Sequence, residues 1–163
     1  MARRRIGSAA ALLAAAAFFA DRPAEAGTDT GTLSVTATVT SNCSLSGGTL
    51  AFGTYVSGQT TNLDVQGSIN YVNCAPGNIT LELDNGANAN GTQRRMKSGN
   101  NFLNYEIFRS SARNSRWGTG QDAVQVQLLQ PGNGSVAVYG RIPAGQTVPA
   151  GSYSDTVTVT LTF

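Results

Sequence analysis

The chain has 163 residues, enough for one domain with its own core. It holds no histidine, two cysteines and only 12% charged residues. The missing histidine removes the usual acid–base group of neutral pH, and two thiols alone make a tetrahedral zinc site untenable. The formal charge of +2 is carried entirely by Arg3, Arg4, Arg5 and Arg22 against Asp21 and Glu25, so the rest of the chain is neutral. A basic pI is therefore no argument for nucleic acid or an anionic membrane.

Residues 1–26 read as a signal peptide. Arg3, Arg4 and Arg5 form a basic start, 9–20 is a small apolar run, and Ala24-Glu25-Ala26 is a small-x-small cleavage site. The run is shorter than a spanning helix needs. Cleavage after Ala26 leaves a mature chain that begins at Gly27. Export into an oxidising compartment makes a disulfide the expected state of Cys43 and Cys74. Closing that loop stabilises the fold by about 3.5–4 kcal/mol on the chain-entropy account.

The mature chain opens on a strict alternation over 32–40, TLSVTATVT. Leu33, Val35, Ala37 and Val39 take one parity and hydroxyl residues the other, the pattern of a strand with one apolar face. A turn at 44–48 and a second strand over 49–55 follow, with a bulge or close approach at Gly53. The stretch 63–74 reads as a strand interrupted near Gly67. The stretch 78–84 reads as one with Ile79, Leu81 and Leu83 inward. A long loop is expected over 87–101, around Arg94, Arg95, Met96 and Lys97. Further strands are expected over 102–109 (Leu103, Tyr105 and Ile107 on one side), 124–129 and 135–142. The chain closes on a second alternation over 156–163, where Val157, Val159, Leu161 and Phe163 share a parity. Seven or eight short strands with Gly, Asn and Pro between them predict an all-β sandwich of the immunoglobulin kind. Its two terminal strands are candidate edges for pairing with another chain.

Chemistry is sparse. Glu82 and Asp84 lie two apart on a strand, where a solvated face is the plain reading and paired glycosidase carboxylates the alternative. Arg94, Arg95 and Lys97 with Arg109, Arg113 and Arg116 could form a phosphate-binding surface, but aromatic interleaving is thin and the acids balance them. Nucleic acid is not an expected partner. Trp117 reads as a packing residue, with a sugar platform the alternative. No nucleophile setting or phosphate loop occurs, so neither an enzyme nor a cofactor is expected.

The order of these features resembles one family. An alternating strand is followed by Cys43, Phe52-Gly53, Cys74 and Leu83-Asp84-x-Gly86. Then come Arg95-Met96, Leu103-x-Tyr105, Trp117-Gly118, and Gly151-x-Tyr153-x-Asp155-Thr156-Val157 running to Phe163. This is similar to the spore coat protein U domain, the pilin domain of archaic chaperone–usher pili, over 32–163. The resemblance implies an incomplete immunoglobulin-like sandwich completed by a donor strand from another chain. It implies a donor extension over 27–42, with Leu33, Val35, Ala37 and Val39 as donor residues, and a pilin domain over 43–163. It places Val157, Val159, Leu161 and Phe163 along the groove that receives the donor or a chaperone strand.

The implied partners are a periplasmic chaperone, an outer-membrane usher and neighbouring subunits, head to tail. The implied location is the cell exterior, reached through the periplasm, in adhesion or biofilm formation. Arg95, Met96 and Trp117 match family positions of structural role. A single domain is expected of a shaft or minor subunit rather than a two-domain tip. A spore or cell-coat protein of the same domain family is the alternative, and a secreted carbohydrate-binding sandwich the third reading. The short spacer before Cys43 also leaves open that part of 32–40 begins the subunit's own sheet.

Overall fold

The computed structural model describes residues 30–163; the signal segment, Ala26 and Gly27 lie outside them. Residues up to Ala37 and from Thr38 onward group as separate units. In the first, Leu33 and Val35 are 87% and 82% exposed, and its described residues form no strand. The second holds the fold, and its first strand starts only at Ser44. Strand β1 is Ser44–Thr49, β2 is Leu63–Cys74, β3 is Gly77–Leu83 and β4 is Arg94–Ser98. Strand β5 is Asn101–Phe108, β6 is Val124–Leu128, β7 is Gly132–Ile142 and β8 is Val159–Thr162. One 3-10 turn, Gly120–Asp122, precedes β6.

Two sheets form, with all registered pairs antiparallel. The larger runs β1-β2-β7-β5-β4 and the smaller β6-β3-β8. Inward alternation builds the core between them. Ile79, Leu81 and Leu83 of β3 face Leu103, Tyr105 and Ile107 of β5, with Ile69, Tyr71, Val138 and Ile142 beside them. Trp117 is wholly buried and donates Nε1–H to the Leu81 carbonyl at 3.0 Å. Cys43 and Cys74 are joined by a disulfide, which ties the residue before β1 to the end of β2.

Several expectations are corrected. The segment over 32–40 forms no strand, because a ladder needs a partner edge and alternation alone does not supply one. The turn expected at 44–48 is strand β1, and the strand expected at 49–55 pairs with nothing beyond Thr49. Gly53 there adopts φ 72°, a left-handed kink rather than a paired bulge. Strand β2 runs through Gly67 unbroken, its ladder to β7 shifting only after Tyr71. Residues 94–98, expected in a loop, form β4. The closing strand is shorter than its alternation, with ladder pairing only from Val159.

Candidate functional site

A groove of about 940 Å³ opens between the two sheets. Leu103, Tyr105, Ile107, Val138 and Ile142 form its floor. Leu50, Phe52 and Tyr55 form one wall, and Val157 and Val159 the other. The Phe52 ring meets Tyr105 edge-on, with centroids 5.7 Å apart. The apolar lining follows from inward parity on β5 and β7 and from the Leu50–Phe52 alternation on the unpaired wall.

Strand β8 bounds the groove and is the last strand of its sheet. Thr158 accepts from the Asp84 amide at 3.1 Å, and Thr156 from the Ala87 amide at 2.9 Å. Ladder bonds alternate along an antiparallel strand, so this phase turns Thr158, Thr160 and Thr162 toward β3. The backbone N–H and C=O groups of Val159 and Leu161 then point to the open side. Among the described residues that side is a free edge, the kind that templates pairing. Of the four residues expected along the groove, Val157 and Val159 line it. Leu161 is partly buried against the core, and Phe163 is 62% exposed at the chain end. Among the alternating residues near the N-terminus, Val39 is 94% exposed.

The end of the groove near Asp155 is polar. Tyr105 donates its hydroxyl to Asp155 Oδ2 at 2.7 Å, while Asp155 Oδ1 accepts from the Asn88 amide and side chain, both at 3.0 Å. Burial, then the bond to Asp155, raises the Tyr105 pKa far above its ordinary value. Gly86, at φ 86°, sits where a Cβ would overlap the Asp155 carboxylate. Deeper, Arg94 has no exposed surface. It bonds the carbonyls of Asp84 and Leu83 and pairs with Glu106 at 2.6 Å. Arg116 pairs with Glu106 at 2.9 Å and reaches Asn85 Oδ1 at 2.6 Å.

The other cations are engaged too. Arg113 and Arg141 converge on Asp64, Arg109 faces Asp122, and Arg95 lies 4.0 Å over the Phe102 ring. The candidate phosphate surface is thus dispersed into internal contacts. Glu82 and Asp84 are not a bare solvated face. Glu82 accepts from the Gly120 amide at 2.7 Å, and Asp84 Oδ1 from those of Gly86 and Thr158, each at 2.9 Å. Trp117 has no exposed ring face to act as a sugar platform.

Residues 29–160 match the Spore Coat Protein U domain. The chain belongs to that family. Protein U of Myxococcus xanthus is 37% identical to it, over 94% of this chain and 96% of the relative. Among solved structures, the CsuC–CsuE chaperone–tip adhesion subunit pre-assembly complex from archaic chaperone–usher Csu pili of Acinetobacter baumannii matches at 30% identity and a TM-score of 0.57. That match covers 77% of this chain and 40% of the solved one. The P pilus rod subunit PapA matches at 20% identity and a TM-score of 0.49, over 74% of this chain and 97% of that one.

Within this Spore Coat Protein U domain, Arg94 is a buried residue that the sequence does not single out. Its neighbours Arg95 and Met96 carry the resemblance, whereas Arg94 reads only as one cation of a possible phosphate surface. Parity holds the one available signal: Arg94 shares a side with Met96, the apolar residue of β4.

Proposed function

We propose that this chain is a structural subunit of a chaperone–usher surface fibre. Residues 32–40 of one copy enter the groove of the next and pair with the free edge of β8. The observation that carries this is the edge of β8, unpaired among the described residues, beside a groove with an apolar floor, in a chain whose other alternating segment is unpaired and exposed. Such binding is β-augmentation: main-chain bonds hold the strand, and alternate side chains fill the groove. Burial of Leu33, Val35 and Val39 contributes about 1.5–3 kcal/mol each, and Ala37 less. The contact is head to tail and does not close, so it propagates.

A periplasmic chaperone covers the groove before assembly, and an outer-membrane usher catalyses the exchange. The domain is 43–163 and the donor extension 27–42. The fibre stands on the cell exterior and serves adhesion and biofilm formation. The test is co-expression of the full-length chain, signal included, with a periplasmic chaperone and an outer-membrane usher of the same class. Fibres visible by electron microscopy are expected from the full chain. A chain without residues 27–40 should still co-purify with the chaperone but form no fibre. Fibres from the truncated chain would overturn the proposal.

The match to the Spore Coat Protein U domain, with Protein U alike along nearly its whole length, favours a second reading: a coat protein that uses the same domain without a long fibre. Fractionation decides between them. Shearing releases fibres from the cell surface, whereas a coat stays with the spore or cell envelope.

A further inference from the structure

The structure assigns Arg94 a positioning role in the groove: from the five-stranded sheet it holds the end of β3, and so sets where the β8 edge stands. This rests on the reading that the groove receives a strand. Apolar packing between the two sheets is non-directional and fixes no separation by itself. The guanidinium does, because its donors lie in a rigid plane. From β4, Nε donates to the Asp84 carbonyl at 3.0 Å, Nη2 bonds the same carbonyl and reaches that of Leu83 at 3.4 Å, and Nη1 meets Glu106.

Those carbonyls belong to the residues that carry β8. Leu83 is the register partner of Val159. Asp84 donates its amide to Thr158 O at 3.1 Å and accepts the Thr158 amide on Oδ1 at 2.9 Å. One cation on one sheet is therefore two contacts from the groove edge on the other. Glu106 orients it from β5. Glu106 is itself held by Arg116, which also reaches Asn85 and the Thr92 carbonyl, so the loop after β3 is anchored at the same point. Burying an ion here is costly when an apolar side chain could fill the space. What the arginine adds is a defined distance. A lysine, with one point charge on a flexible stem, cannot span both the Glu106 carboxylate and the Asp84 carbonyl in that plane.

The experiment uses the full mature chain with spin labels at Thr54, in the groove wall, and at Thr160, on the exposed face of β8. Pulsed electron paramagnetic resonance reads the distance between them. A synthetic peptide spanning residues 30–42 reports the affinity of the groove. Arg94→Lys should lengthen and broaden the distance distribution and weaken the peptide by about tenfold or more. Glu106→Gln should do both to a smaller extent. Asp64→Asn, which breaks the remote ion pairs with Arg113 and Arg141, should lower thermal stability but move neither readout. An unchanged distance and affinity in Arg94→Lys, with only the melting point lowered, would overturn the positioning role. If Arg94→Lys fails to fold, Glu106→Gln decides on the same two readouts. If the unmutated chain does not bind the peptide while Arg94→Lys still shifts the distance, strand reception fails and the spacing role of Arg94 stands.

Discussion

Tyr105 and Asp155, fifty residues apart in the chain, meet through a 2.7 Å hydrogen bond at one end of the groove. The bond joins floor strand β5 to the segment that leads into β8. Tyr105→Phe keeps the ring and its contact with Phe52 but leaves Asp155 Oδ2 without this donor. The expected loss is about 1–2 kcal/mol, read as a lower urea midpoint at unchanged slope.

The parity of the 32–40 segment yields the sharpest contrast. In the proposed assembly, Val35→Asp would bring a carboxylate into the groove in place of an apolar side chain, which costs several kcal/mol and should abolish assembly. Thr36→Asp lies on the opposite face and should leave assembly nearly intact. Equal assembly of the two variants in a sedimentation assay would remove this segment as the donor.

The disulfide should register as a mass two hydrogens below the reduced chain, with no thiol open to alkylation. Replacing Cys43 and Cys74 by serine should cost about 2–5 kcal/mol, seen as a lower melting temperature.

Acid should weaken the fold through two carboxylates. The hydrogen bond from Arg141 holds the Asp64 pKa below its ordinary value. Burial acts to raise Asp84, but hydrogen bonds from Thr158 and Gly86 outweigh it and leave that pKa lowered too. A folded pKa below the unfolded one adds stability that is complete above about pH 4 and lost as pH falls through the folded value. Denaturant midpoints measured from neutral pH downward should be flat and then drop. Asp84→Asn should make that drop shallower.

How far the residues disclosed this varies with what each pattern encodes. Strands β3 and β5 were legible because large apolar residues alternate there without interruption, and each is buried on that parity. Strand β4 was not, because its inward positions are Arg94 and Met96, and a buried arginine breaks the hydrophobic alternation that identifies a strand. The 49–55 stretch shows the converse. Leu50 and Phe52 alternate and do face the groove, yet alternation reports which side is buried, not which edge is paired. The groove walls were half legible. The parity of Val157 and Val159 is local, whereas the Asp84 and Asp155 contacts that place them join segments about seventy residues apart.

In the proposed fibre the Cys43–Cys74 bond has a mechanical consequence under tension. Load arriving through the N-terminal extension reaches Cys43 before it reaches any ladder bond of the domain. The disulfide passes it directly to the end of β2, a central strand bonded on both sides to β1 and β7. Strand β1 is thereby spared from being peeled away one rung at a time. The pull is instead spread over the long β2–β7 ladder, whose bonds must yield together.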